Sequence, residues 1–190
     1  LADMAIAREE KKIHESNWKI LVEGGLESYH FKVAHRKTIG PYFEDNLSSY
    51  QMLGDHMRSV LMRSSMHILN HLPPSQWRLR DHANIIYTFF PTTQLLVQQD
   101  HIVWINSRPV SATETELRLV TLAPISRLED DEYWEKNHRI TSNTLNEDFV
   151  IGESIQAGLA TGANEHMTFG RFEGALPEFN RVVCLLYTSD

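Results

Sequence analysis

The sequence predicts an α+β domain in which an antiparallel sheet curls against a long helix. Three observations carry that expectation. Four apolar, β-branched segments follow one another between Asn84 and Pro124, separated by short turn signals. A Pro-free stretch with helical periodicity then runs from Glu129 to Ala160. The composition, 42% hydrophobic and 23% charged over 190 residues, is that of one folded domain with room for a real core.

Residues 1–16 are charged and hold few large apolar side chains beyond Met4, Ile6 and Ile13, so they read as a linker or lead-in helix. Residues 17–190 form the body of the domain. Its first part opens on Asn17-Trp18-Lys19-Ile20-Leu21-Val22, a short, mostly apolar strand or turn. Gly24-Gly25 punctuates it, and a helix through Tyr29 and His30 follows. Residues 36–83 mix turn signals, Gly40-Pro41 and Pro73-Pro74, with Met52, Met57, Met62 and Met66, the pattern of irregular connections and short strands around an apolar space. The four predicted strands are Ile85 to Phe90, Leu95 to Gln99, Ile102 to Asn106 and Leu117 to Leu122, and their spacing is that of a meander. Glu129 to Ala160 is then one long helix or two in tandem, stopped by Gly162, and a final amphipathic helix covers about Pro177 to Tyr187.

Lys and Arg number 18 against 25 Asp and Glu, a net charge of −7, which argues against nucleic acid as a partner. No apolar run approaches the length of a membrane span and no charged-then-apolar leader opens the chain, so a cytoplasmic protein without membrane contact is expected. Cys184 is the single cysteine, which excludes an intrachain disulfide, a four-cysteine zinc site and an iron–sulfur cluster. Its apolar neighbours predict a small buried side chain. Any metal must therefore be held by carboxylates and by some of the 10 histidines. Leu1 at the start and an apolar run before Asp190 read as cuts within a longer protein.

Glu27, His30 and His35 lie close together in the chain. On an ideal helix Glu27 and His30 share a face, whereas His35 projects about 140° away from His30. One metal can meet both imidazoles only if the helix ends or distorts between them. In the long helix, at about 100° per residue, Leu145, Asp148, Gly152, Ile155 and Leu159 form one stripe. That embeds Asp148 in the inward face and turns Glu147 and Glu153 elsewhere. An ionised carboxylate there is costly unless a cation or strong donors compensate it. Two imidazoles and such a carboxylate make the facial triad that suits non-haem Fe(II). A lone buried Asp is also a common cap or ion-pair partner, so spacing by itself leaves both readings open.

The residues go further than the spacing. Asn17-Trp18-Lys19, Glu27-Ser28-Tyr29-His30, His35, Asn146-Glu147-Asp148-Phe149 and Gln156-Ala157-Gly158-Leu159 together resemble the catalytic α subunit of the Rieske non-haem iron, or aromatic-ring-hydroxylating, oxygenases. The match runs from Asn17 to about Asn180. The resemblance implies that His30, His35 and Asp148 bind a mononuclear Fe(2+), and that Glu27 is the catalytic carboxylate bridging that iron to a neighbouring subunit's Rieske centre. The family commonly has Asp at that place, with Glu in a branch that includes choline and carnitine oxygenases. Gly24 stands where many members have Asn.

The same resemblance implies a helix-grip fold of the START/Bet v 1-like kind, an antiparallel sheet wrapped around a long C-terminal helix. It implies a terminal oxygenase that uses O2 to hydroxylate an aromatic or other small organic substrate, by dihydroxylation or by monooxygenation and dealkylation. Electrons would come ultimately from NAD(P)H through a reductase or ferredoxin. No Rieske motif is present, so the 2Fe-2S cluster is expected on a domain absent from this chain, the isolated chain is expected to be inactive, and a homotrimer is expected only at full length.

For the substrate pocket the side-chain chemistry singles out Met52, Met62, Phe89 and Trp104, with Met57 and Met66 beside them. Arg58, Arg63, Arg78 and Arg80 are available to a carboxylate. His67 and His71 lack the Glu that a zincin motif needs and read as structural or surface residues. Two other functions stay open on fold grounds: a non-catalytic helix-grip carrier of a small hydrophobic ligand, and a degenerate oxygenase homologue.

Overall fold

The computed structural model describes residues 1–164 and 166–188, with side chains at all of these except 45 and 46. Seven strands form one antiparallel sheet: β1 (Met4–His14), β2 (Phe43–Leu53), β3 (His56–Arg63), β4 (Ala83–Phe89), β5 (Thr93–Val97), β6 (Ile102–Pro109) and β7 (Thr115–Pro124). Their spatial order is β1-β7-β6-β5-β4-β3-β2, a meander from β2 to β7 with the first strand laid beside the last. Four α-helices accompany it: α1 (Trp18–Gly24), α2 (Phe31–Ala34), α3 (Asp131–Ala160) and α4 (Ala175–Thr188). This is the predicted α+β architecture of a sheet curled on a long helix. No helix among the described residues is long and apolar enough to cross a membrane.

The meander follows from alternation. β3 buries Met57, Ser59 and Leu61, and β6 buries Val103, Ile105 and Ser107, while their neighbours point to the other face. The β2–β3 turn is made at Gly54, whose φ of 67° is cheap only without a Cβ.

Residues 4–14 are a strand, not a lead-in helix. They pair along β7 from Met4 opposite Pro124 to His14 opposite Thr115. Their charges serve opposite sides of the sheet: Arg8 donates to Glu135 of α3 at 2.8 Å, whereas Glu9 accepts from Arg118 of β7 at 2.8 Å. A charged sequence therefore suits this edge strand, because both its faces meet polar partners.

The apolar run after Asn17 is a helix, not a strand or turn. Asn17 caps it, its side chain accepting from Lys19 N–H at 3.0 Å and donating to the Ala112 carbonyl at 2.8 Å. α1 buries Leu21 and Val22 against different neighbours. Leu21 joins Val103, Ile105, Leu117, Leu119 and Phe149, and Val22 joins Leu26, Met57, Phe179 and Val183. The short helix thus links the sheet, α3 and α4.

α3 is one uninterrupted helix of 30 residues, with Asp131 and Glu132 in its positive first turn. Trp134 is fully buried and donates from Nε1 to the Arg127 carbonyl at 2.6 Å. Further along, Phe149 anchors the helix in the core; truncating such an aromatic costs about 3–5 kcal/mol. Two expectations fail at the margins. Ile155 is 42% exposed, so the buried stripe does not extend that far, and Cys184 lies on the exposed side of α4.

Gly40 holds the loop behind α2 tightly. A Cβ there would sit 2.8 Å from the backbone carbonyl oxygens of both Phe31 and His35. Backbone cannot step aside as a flexible side chain would, so Gly40→Ala should cost about 1–3 kcal/mol, the usual penalty of overpacking. Urea unfolding checks this; a midpoint equal to wild type would mean that the loop relaxes freely.

Candidate metal centre

His30 and His35 flank α2 as its N-cap and C-cap. The helix has only four residues, and His35 leaves helical geometry at φ −103° and ψ 25°. The divergence expected along a continuous helix is thereby cancelled, and the two rings lie 5.2 Å apart, centroid to centroid. Glu27 sits in the turn before α2 rather than on a helix with His30.

Each imidazole is gripped at its outer nitrogen by a carboxylate. His30 Nδ1 meets Glu27 Oε1 at 2.5 Å, and the second Glu27 oxygen accepts from the Tyr29 N–H. His35 Nδ1 meets Glu147 Oε2 at 2.7 Å, and the Thr38 hydroxyl donates to the same oxygen at 2.7 Å. Such contacts hold a proton on each Nδ1 and turn Nε2 inward as the atom available to a metal.

Both Nε2 atoms are buried and make no hydrogen bond, yet both face one oxygen. Asp148 Oδ1 lies 3.4 Å from His30 Nε2 and 2.9 Å from His35 Nε2, and the three ligand atoms fall within 4.8 Å of one another. Donors about 2.0–2.2 Å from one ion are about 3 Å apart when they occupy adjacent positions, so the spacing fits a single metal. His–His–carboxylate with both outer nitrogens already occupied is a donor set for a divalent transition metal.

The electrostatics agree. Burial alone would lower the His30 pKa, but Asp148 and Glu27 together outweigh it and push it up to about 9. Burial likewise opposes a rise at His35, and Asp148 and Glu147 again prevail. Burial would raise the Asp148 carboxyl; the two imidazoles hold it below the ordinary carboxylate range. Three carboxylates around two imidazoles make a pocket that favours added positive charge.

A cavity of about 510 Å³ opens beside His35, Glu27 and Asp148, between α3 and the concave face of the sheet. A smaller one of about 270 Å³ reaches His30 from the other side of Asp148.

The structure brings together all four residues expected of the centre, His30, His35, Asp148 and Glu27. It adds Glu147 and Thr38, which sequence reasoning missed. Glu147 does not point elsewhere: its longer side chain reaches back to His35 from the position beside Asp148. Glu153 does lie elsewhere, 3.3 Å from His14 Nδ1.

The four expected substrate residues do not line the larger cavity. Met52 packs in the cluster around Val22 and Phe179. Met62 and Phe89 alternate with inward residues and face the other side, Phe89 being exposed. Trp104 lies on the convex side, 4.9 Å below the Arg118 guanidinium. Of the four arginines considered, Arg63 alone lines the cavity; Arg58 bonds Gln51 and Arg80 bonds the Val97 and Gln98 carbonyls.

Comparison with known proteins gives one consistent result. The family described as "Ring hydroxylating alpha subunit (catalytic domain)" matches residues 3–189. Choline monooxygenase, chloroplastic, of Atriplex hortensis is 31% identical over 157 residues, covering 78% of this chain and 32% of the relative. Among solved structures, a quaternary ammonium Rieske monooxygenase studied for carnitine oxidation by gut microbiota superposes with a TM-score of 0.74 at 18% identity, covering 99% of this chain and 52% of the other. Dicamba monooxygenase bound to dicamba superposes at 0.66 with 13% identity, over 96% of this chain and 59% of that one. The chain thus spans about a third of the curated relative and about half of the solved ones.

Two substitutions separate ligand from support. Asp148→Ala should abolish tight Fe(II) or Zn(II) binding while the domain stays folded. Glu147→Gln should weaken binding by about 10–100-fold, the usual effect of removing an imidazole's outer partner. Competition titration against a chromophoric chelator reads both; unchanged affinity in Glu147→Gln would mean that packing alone orients His35.

Proposed function

The chain belongs to the catalytic-domain family of ring-hydroxylating α subunits, and from that premise we propose that His30, His35 and Asp148 hold a mononuclear Fe(II) for hydroxylation of a small organic substrate. The observation that carries this reading is the pair of buried, unbonded Nε2 atoms facing Asp148 Oδ1, with each Nδ1 already held by a carboxylate. When bound, Fe(II) on one face of such a triad supplies open positions for O2 beside the substrate.

The protein's own residues do the rest. Leu21, Phe31 and Phe149 wall the cavity next to the triad and exclude water. Glu27 keeps the Nδ1 proton of His30 in place and, in this reading, offers its carboxylate as the bridge to a Rieske centre carried by a domain outside this chain. His30 suits that path, since its side chain keeps 23% of its exposure while His35 keeps 1%. Electrons would arrive through a reductase or ferredoxin, and a full-length homotrimer would place one subunit's Rieske centre against the next subunit's Glu27.

The names of the relatives, three monooxygenases, support monooxygenation or dealkylation over dihydroxylation. The centre also supports an enzyme over an apolar ligand carrier, because a carrier gains nothing from burying two imidazoles among three carboxylates.

Protein loaded anaerobically with Fe(II) and treated with nitric oxide should show a high-spin ferrous-nitrosyl EPR signal, lost in His30→Ala. A well-folded wild type that binds no iron would overturn the assignment. In a full-length enzyme with its Rieske domain, Glu27→Gln should retain iron and lose turnover at least tenfold; unchanged coupled turnover would remove Glu27 from the electron path.

A further inference from the structure

The wall of the larger cavity carries a charge that the triad does not use. Arg63 closes β3 in phase with the inward residues Met57, Ser59 and Leu61. It lines the cavity and is the one Lys or Arg among the described lining residues. Its guanidinium lies 5.9 Å from the centroid of Phe43, directly opposite it in the β2–β3 register. Phe43 is 5.2 Å from Phe31, and Phe31 is 5.4 Å from His35, so three successive ring contacts join the guanidinium to the triad.

A second group points the same way. Asn84 lines the same cavity at 6% exposure, and its buried Oδ1 has no hydrogen-bond partner. It stands opposite Leu61 in the β3–β4 register, two residues from Arg63, hence a diagonal neighbour at roughly 7–8 Å. An amide oxygen only accepts, so it is with the amide turned to present its NH2, a donor, that Asn84 serves an anion. The described acids of the cavity, Glu27 and Asp148, are both committed to the imidazoles.

Resting on the oxygenase reading in taking this cavity as the substrate site, we propose that it selects an organic carboxylate, its anionic end held by Arg63 and Asn84 and its apolar body directed past Phe43 and Phe31 to the metal. A guanidinium beside an amide suits a planar, two-oxygen anion. A quaternary ammonium, the substrate class in the name of one solved relative, would meet Arg63 as a like charge and find no uncommitted carboxylate among the described lining residues.

The test compares three probes of one shape, 4-phenylbutanoate, 4-phenylbutan-1-ol and trimethyl(3-phenylpropyl)ammonium. Binding to the chain is followed by NMR and calorimetry, with and without Zn(II). The carboxylate should bind at least tenfold more tightly than either other probe. Arg63→Gln should remove that preference while changing the alcohol's affinity less than twofold, Arg63→Lys should restore part of it, and Asn84→Ala should weaken the carboxylate severalfold. Equal or tighter binding of the ammonium probe, or a carboxylate preference that survives Arg63→Gln, would overturn the proposal. A uniform loss of all three probes in both Arg63 variants would do the same, by making Arg63 a structural residue. Zn(II) and metal-free measurements read this selectivity independently of iron, so failure of the iron assignment shows in the EPR experiment and not here.

Discussion

The structure depends on a carboxylate clamp at the outer nitrogen of each of two imidazoles. Glu27 and Glu147 set the ring orientation of His30 and His35 from the outer side, so that the inner nitrogens converge on Asp148. The clamp is expensive, because its two carboxylates join Asp148 in a partly buried space. It persists because the surrounding elements leave its members few alternatives. Phe149 locks the register of α3 next to Asp148, and the backbone packed against Gly40 holds the end of α2. One acid of the clamp is local in sequence to the histidines; the other comes from α3. The centre therefore forms only when the turn around α2 docks on the long helix.

The sheet makes that docking possible. Its concave face presents apolar side chains to α1 and α3 near the triad and leaves a cavity beyond them. β1 extends the face by one strand and is tied to α3 by Arg8 with Glu135 and by Lys12 with Ser142. Such exposed or half-buried polar contacts orient more than they stabilise. The cohesion comes from the core around Phe149 and Leu21, which is also the wall of the site. Stability and site geometry are thus carried by the same residues, and a core mutation near Leu21 would be felt in the metal centre before the fold was lost.

Much of this was legible in the sequence where two independent signals coincided. The strands from β4 to β7 combine alternation, β-branching and turn residues, and all four appear near the predicted places. The convergence of His30, His35 and Asp148 was legible through the combined residues that resemble the oxygenase family. β1 was not, because an edge strand with polar partners on both faces loses the apolar alternation by which strands are recognised. α1 was misread because a segment as short as Trp18-Lys19-Ile20-Leu21-Val22 carries no clear period, and only its Asn17 cap distinguishes helix from strand. Glu147 was missed because a helical wheel locates a Cβ and not the end of a long side chain. Trp104 and Phe89 failed as pocket residues for a simpler reason: side-chain size says nothing about strand parity, and a one-residue shift sends every side chain to the other face.

Parity also explains why the centre and the cavity carry different kinds of information. The candidate centre is set by a short local segment and one helix, with His30 and His35 around α2 and Asp148 on α3. The far wall of the cavity is set by inward positions on β3 and β4, where residues such as Arg63 and Asn84 can change without disturbing a single ligand. Relatives at 13–18% identity share the fold, and such wall positions are where they are free to differ. Binding selectivity follows from the charge and unpaired hydrogen-bonding groups that remain after the metal site has used its own. Here the acids are spent on the imidazoles, and the cation and the unpartnered amide remain.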